Sequence, residues 1–356
     1  MVRLLALRER FAHMSSISGY DALYGHFTPD IEIESVFCNF KKMYPRGVGR
    51  LLEKSSRLVG GSGFYNAQSF ESEIRLFLKA RRKKHDIVHY CYGESYLGFG
   101  AILTSRLKLP LVVTHHQPVS WWAQNSALAH KYKNVNTVIT LSEYDKNYFE
   151  DLVPGRVVCI PHGVDIDFYK PETSLKKESG PFKILFVGRY LRDTLTLSQA
   201  VKKLLSFPAD IYFDIVYSDK AGYLPAEMRE LSTLSKVKWH SEIGDQNLLA
   251  LYRQADCCLI PLNDCTANNA ILEAMACGVP VITTNLPAAH TYLDDTMSIM
   301  CRQKNSDDLV EAVLLLYNDI SARVVMGERA RKKAEQYFDW NIIASKTITL
   351  FNDCNE

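Results

Sequence analysis

Residues 259–284 read LIPLNDCTANNAILEAMACGVPVITT: a strand, a polar loop, a helix and a second strand. The apolar run Cys257–Leu262 supplies the first strand, and Asn263–Asn269 is built from turn and capping residues. A helix is expected over Ala270–Cys277, stopped by Gly278 with Pro280 close behind. The β-branched run Val279–Thr284 follows as a buried strand. A loop that feeds a helix N-terminus beside a parallel strand presents backbone N–H groups and the positive end of the helix dipole, which suits an anion. Glu273 lies about one turn into that helix. A carboxylate would repel a diphosphate at that distance unless it meets neutral hydroxyls, so a ribose is a sensible target.

Working outward, 356 residues suggest two domains of ordinary size, and 47% hydrophobic with 23% charged residues is a soluble globular composition. No apolar run approaches the roughly 20 residues that span a bilayer. The opening stretch MVRLLALRERFAHM has too short an apolar core for a secretion signal and reads as a first strand, Val2–Arg8. Nine scattered cysteines without a Cys-x-x-Cys pair argue against a zinc site or disulfide framework and for a reducing, cytoplasmic setting.

The net charge of +2 is uneven: residues 1–171 carry 22 Lys/Arg against 16 Asp/Glu, and the remainder 20 against 24. Lys41–Lys84 alone holds twelve basic and three acidic residues. Within it, Phe70, Ile74 and Phe77 are spaced as the apolar face of a helix with a basic end, separated from Lys41–Arg57 by the hinge Gly60–Gly63. A solvated face is one reading; contact with an anionic membrane surface on the inner face is the other. No nucleic-acid module accompanies the charge.

Further strands are expected at Asp86–Tyr90, Leu109–Thr114, Val135–Leu141, Val157–Pro161, Phe182–Val187, Ile211–Tyr217 and Val237–His240, with a helix over Glu94–Arg106. Pro171–Pro181 has the composition of a linker. His115 and His116 close the strand before Pro118, where parallel sheets bind ligands; no carboxylate or Cys sits at ligand spacing in the sequence, which argues against a metal. Trp121 and Trp122 suit packing, an acceptor sugar or a membrane interface.

The run LEAMACGVPVITT from Leu272 resembles the signature of the family 4 retaining glycosyltransferases. That resemblance implies a GT-B fold: two Rossmann-like α/β/α domains facing a central cleft, 1–171 for the acceptor and 181–339 for a nucleotide-sugar donor. A last helix, 340–356, is then expected to cross back to the first domain. It implies Glu273 on the donor ribose, while the first Glu of the family's pair falls at Cys265. It implies His116 at the transfer centre, Ser18 and Gly19 near the phosphate or acceptor, and Gly188 with Arg189 gripping the diphosphate. The family's Lys falls at Thr194, with Arg192 the nearest substitute cation. Glu242 and Ile243 would lie against the nucleobase, and Thr266, Asn268, Asn269 and Ala270 would offer N–H or side-chain bonds to phosphate or sugar. The activity implied is transfer of a hexose, glucose from UDP-glucose on base rates, with retention, to a hydroxyl of a glycan or lipid-linked oligosaccharide. No metal or other cofactor is needed if arginines and the helix dipole stabilise the leaving group. The alternatives are a nucleotide-sugar epimerase or hydrolase of the same fold, or a non-catalytic binding protein, which Cys265 and Thr194 favour.

Overall fold

The β-branched and aliphatic runs form two parallel sheets of six strands each, divided between two units. The computed structural model describes residues 1–9, 17–39, 42–60, 64–172, 180–218 and 224–355. Ser15, Ser16, Lys41, 61–63 and the linker residues 173–179 lie outside them.

Unit 1 comprises Met1–Gly163 and Trp340–Glu356. Its strands are β1 Val2–Arg8, β2 Ile31–Phe37, β3 Ile87–Tyr90, β4 Leu111–His115, β5 Thr137–Thr140 and β6 Arg156–Cys159, in the order β2-β1-β3-β4-β5-β6. Its helices are α1 Arg46–Val59, α2 Ala67–Ala80, α3 Gly93–Tyr96, α4 Gly100–Arg106, α5 Val119–Gln124 and α6 Glu143–Glu150. The C-terminal helix Trp340–Asn355 packs in the same unit, with Trp340 fully buried 4.9 Å from the His162 ring.

The single helix expected over Glu94–Arg106 is two helices. The N–H groups of Gly98, Phe99 and Gly100 donate to the buried carboxylate of Glu73 on α2, at 2.9–3.1 Å, so the helical ladder breaks there. Tyr65 and Tyr90 hydroxyls donate to the same carboxylate. A Cβ on Gly100 would stand 1.8 Å from the Tyr90 hydroxyl, so only glycine fits. Glu73 also corrects the expected face of α2. Phe70, Ile74 and Phe77 are half-buried, and the inward side is Ser69, Ser72, Glu73 and Leu76. A fully solvated carboxylate on that helix would leave five donors unpaired in the interior, at a cost of about 1–3 kcal/mol each.

Unit 2 comprises Val164–Asp339. Its strands are β7 Phe182–Val187, β8 Ile211–Val216, β9 Val237–His240, β10 Cys257–Ile260, β11 Val281–Thr284 and β12 Ser298–Cys301, in the order β12-β11-β10-β7-β8-β9. Its helices are α7 Thr194–Leu205, α8 Ala226–Leu231, α9 Asp245–Gln254, α10 Asn269–Ala276, α11 Ser306–Asn318 and α12 Ile320–Lys333. Phe182, Phe186, Leu197, Val201, Phe213, Ile215, Leu259 and Val313 belong to its buried core.

The division falls at Gly163, ahead of the expected boundary at 171. Segment 164–171 is held by unit 2: Val164 N–H donates to Phe338 O, Tyr169 packs edge-on to Tyr252, and Arg331 donates to Ile166 O and Tyr169 O. Linker composition marks where the chain turns away from solvent-free packing, and here that packing starts earlier on the unit 2 side.

Candidate functional site

In unit 2 the strand order reverses between β7 and β10, which are neighbours in the sheet, and the crevice outside such a reversal is where open α/β sheets bind ligands. The loops after these two strands meet there. Asp193 N–H donates to Pro261 O, Asn263 N–H to Leu191 O, and Asn263 Nδ2 to Arg192 O. Arg192 and Leu262 form an antiparallel bridge. Gly188 (φ +97°) and Leu191 (φ +59°) are both left-handed in the first loop. A non-glycine in that conformation costs on the order of 1–3 kcal/mol and marks a turn whose shape is over-determined by its surroundings.

Arg192 is the strut of this junction. Its Nε donates to Val187 O at 2.9 Å, Nη1 to Tyr190 O at 3.1 Å, and Nη2 to Asn268 Oδ1 at 3.1 Å. All three partners are neutral oxygens. Burial pushes the guanidinium down to about 10, with Tyr252, Cys265 and Glu273 pulling the other way, so it stays cationic at neutral pH. Arg192 is half-buried, and its hydrogen bonds go to neutral oxygens rather than to a carboxylate, so the guanidinium brings positive charge to the crevice.

Asn268 caps α10, its Oδ1 accepting from Ala270 N–H at 3.1 Å and Ile271 N–H at 3.4 Å. The Ala270 amide, expected to face a phosphate, is therefore engaged by the cap. Asn269 begins the helix and Thr266 is buried in the loop before it. Glu273, 4% exposed, accepts from the Tyr252 hydroxyl at 2.8 Å, which fixes its carboxylate one turn into α10. Arg189 is half-buried on the turn after Gly188. Thr194 does not join this group. It opens α7, and its hydroxyl donates to Glu227 on α8 at 2.5 Å, because Asp193 takes the helix cap. Cys265 is buried, its N–H donating to the Asp264 carboxylate. Glu242 (φ +55°) and Ile243 sit on the turn after the edge strand β9, two strands from β7.

Unit 1 has its own cluster at the C-terminal strand ends. Gly19 precedes a short 3₁₀ helix Tyr20–His26 and accepts from Ala22 N–H, with Ser18 just before it. His116 follows β4, sandwiched between Tyr92 (centroids 4.2 Å apart) and Tyr20 (4.7 Å), with neither ring nitrogen hydrogen-bonded. His115 points the other way, accepting from Trp122 Nε1 among Trp122 and Phe149, and burial pushes it down to about 3. Trp122 is thus a packing residue.

A carboxylate does stand beside the pair. Glu94 Oε2 lies 3.4 Å from His115 Nδ1 and accepts from His116 N–H at 3.3 Å, while Oε1 lies 3.5 Å from His116 Nδ1. Burial opposes its ionisation, but the two imidazoles and the His116 N–H outweigh it, and its carboxyl titrates below the ordinary value. Sequence spacing hid this residue, because Glu94 reaches the histidines across the β3–β4 pairing. Among the described residues, no three His, Cys, Asp or Glu side chains converge closely enough to share a metal ion.

A strand-order reversal flanked by a capped helix start, a cationic turn and a buried carboxylate defines a doubly wound α/β protein with a crevice at its switch point, and comparison with known proteins narrows the class. Residues 36–168 match the family model described as Glycosyltransferase Family 4, and residues 181–319 the model described as Glycosyl transferases group 1. The chain is 22% identical to the MMP alpha-(1->4)-mannosyltransferase of Mycolicibacterium hassiacum, covering 82% of this chain and 76% of that protein. It is 24% identical to the D-inositol 3-phosphate glycosyltransferase of Corynebacterium jeikeium, covering 80% and 76%. The fold matches that of Anabaena Alr3699/HepE in complex with UDP-glucose with a TM-score of 0.74, at 16% identity, over 99% of this chain and 100% of that one. The chain is a glycosyltransferase of the GT-B type. Its halves carry, in order, the family 4 domain and the group 1 domain.

Proposed function

We propose that the chain transfers a hexose from a nucleoside diphosphate sugar, with UDP-glucose the first candidate, to a hydroxyl of a glycan or lipid-linked oligosaccharide with retention of configuration. The observation that carries the donor assignment is the β7/β10 junction, where the half-buried Arg192 guanidinium, bonded to neutral oxygens, is tied through Asn268 to the start of α10, the helix that carries buried Glu273. UDP-glucose in the fold neighbour HepE supports the donor class. The relatives named as an alpha-(1->4)-mannosyltransferase and a D-inositol 3-phosphate glycosyltransferase support transfer to a hydroxyl acceptor.

In this reading the bond between the anomeric carbon and the diphosphate oxygen breaks while the acceptor oxygen bonds to the same face. The acceptor's proton passes to the departing phosphate. Arg189 and Arg192, with the positive end of α10, offset the charge that grows on the leaving group, and fixed donors aimed at developing charge are the largest lever such a site has. Glu273 accepts from the ribose hydroxyls. Gly188 lets the backbone pass under the diphosphate: a Cβ there would stand 2.7 Å from Arg192 Nη2.

The test is a thermal-shift panel of nucleotide sugars followed by turnover of the one that binds. Arg189→Ala is expected to lower turnover on the order of 100-fold with the melting temperature unchanged, by analogy with loss of one oxyanion donor. Near-normal turnover removes Arg189 from the mechanism. Binding of no nucleotide sinks the transferase reading in favour of a non-catalytic protein, and turnover that proceeds equally without acceptor favours a hydrolase.

A further inference from the structure

We propose that Glu94 is a positioning residue for the transfer reaction: it fixes His116 as the tautomer protonated on Nδ1, which leaves Nε2 bare as a hydrogen-bond acceptor for a ligand hydroxyl. The consequence for turnover rests on the transferase reading above; the tautomer does not.

The argument starts at Trp122 on α5. An indole N–H only donates, and Trp122 Nε1 donates to His115 Nε2. That nitrogen therefore carries no proton, and the neutral ring carries its proton on Nδ1. Burial, which pushes His115 down to about 3, keeps the ring neutral at ordinary pH. His115 Nδ1–H faces Glu94 Oε2 at 3.4 Å, with the Tyr132 hydroxyl oxygen at the same distance. The same Oε2 accepts from the His116 backbone N–H at 3.3 Å.

One carboxylate oxygen thus answers two donors, and the other, Oε1, lies 3.5 Å from His116 Nδ1. At that distance the contact is electrostatic more than a hydrogen bond. Its sign still decides the tautomer: a lone pair on Nδ1 would face an anionic oxygen, whereas an N–H there is attracted to it. The proton of a neutral His116 belongs on Nδ1, and Nε2 is left with its lone pair.

The neighbouring histidines sharpen the contrast. His89 lies between the Tyr24 and Thr114 hydroxyls, His115 accepts from Trp122, and His162 Nδ1 donates to Gly163 O at 2.7 Å. Each has a ring nitrogen committed to the protein. His116 Nε2 has no hydrogen-bond partner among the described residues, although Tyr92 and Tyr20 pack against its ring and leave the side chain 13% exposed. A buried nitrogen left unbonded is costly, and it sits just past the end of β4, where parallel sheets receive ligands.

Glu94→Gln tests the assignment because it is isosteric and reverses the tautomer. Two N–H groups point at the Oε2 position, so the glutamine carbonyl oxygen belongs there and its NH2 turns to His116 Nδ1. That donor needs a bare Nδ1 and moves the proton to Nε2. NMR of the full chain labelled with heavy nitrogen at histidine, at about pH 8, reads which ring nitrogen is protonated, with His116→Gln assigning the signal. The wild type is expected to show Nδ1–H and Glu94→Gln to show Nε2–H. A wild-type His116 protonated on Nε2, or a tautomer that Glu94→Gln leaves unchanged, overturns the proposal. Should the variant fail to fold, the wild-type spectrum alone still decides. In the transfer assay Glu94→Gln is expected to lower turnover roughly 10- to 100-fold with the Kd for UDP unchanged. Glu94→Gln/His116→Gln is expected to be no slower than His116→Gln alone, because one residue acts through the other. Losses that multiply would make Glu94 a packing residue and overturn its positioning role. The NMR measurement uses neither donor nor acceptor, so its failure is separate from failure of the transferase reading.

Discussion

Glu273→Gln isolates the charge of the residue assigned to the donor ribose. The substitution is isosteric, and the glutamine carbonyl can still accept from the Tyr252 hydroxyl that now donates to Glu273 at 2.8 Å. The local packing is therefore kept, whereas alanine would strip a buried tyrosine hydroxyl of its stronger acceptor at a cost of about 1–3 kcal/mol and confuse the readout. Hydrogen bonds to a charged acceptor contribute about 1.5–3 kcal/mol against about 0.5–1.5 for a neutral one, a difference of about 1–1.5 per hydroxyl. Two ribose hydroxyls give about 2–3 kcal/mol, or roughly 30- to 150-fold in affinity. The assay is calorimetric titration of UDP into both proteins at neutral pH, with urea unfolding as the control on stability. A UDP Kd within about threefold of wild type, with the fold intact, refutes the placement of Glu273 on the ribose.

Other perturbations follow from the same contacts. Asn268→Ala removes the α10 cap and the Nη2 partner of Arg192 together, so unfolding stability is expected to fall by roughly 2–4 kcal/mol, measured in urea. In a double-mutant cycle with Arg192→Met, a coupling near zero would contradict the strut described for Arg192. His89 is fully buried between the Tyr24 and Thr114 hydroxyls, both at 2.8 Å, and burial pushes it down to about 3. Its unfolded value is near 6.5, so between pH 6.5 and 3 the unfolded chain binds the extra proton and stability falls with falling pH. His89→Gln is expected to flatten the stability–pH slope in that window by up to ~1.4 kcal/mol per pH unit, which paired denaturation curves at pH 7 and 5 measure. Glu9, raised to about 7 by burial, acts in the opposite sense in both proteins and cancels from the difference. An unchanged slope would mean that His89 already titrates near its ordinary value.

Much of unit 2 is legible in the sequence because parallel strands buried on both faces read as unbroken apolar runs. Phe182–Val187 matches β7 end to end, the edge strand β9 also falls where expected at Val237–His240, and Gly278 and Pro280 stop α10 as their chemistry requires. Strand β2, IEIESVF, went unread: it alternates apolar and acidic residues as an edge strand does, and only pairing with β1 settles it. The short β12 carries too little pattern for the same reason.

The sites were legible as residue types and not as partners. Thr194 reads as a weakened phosphate contact, yet its hydroxyl is committed to Glu227, thirty-three residues on. Arg192 reads as a minor substitute, yet it ties two loops together through Asn268. Glu94 is invisible as a partner of His115 and His116 until β3 and β4 pair. The break of Glu94–Arg106 likewise depends on a carboxylate from α2. Each of these is a long-range polar contact, and periodicity carries no information about those.

The most direct measurement is a crystal structure of the protein with UDP-glucose bound. The account predicts the diphosphate at the β7/β10 junction, against the turn Gly188–Arg192 and the start of α10, with the ribose hydroxyls on Glu273. A nucleotide bound elsewhere with that junction vacant, or a ribose turned away from Glu273, would contradict it.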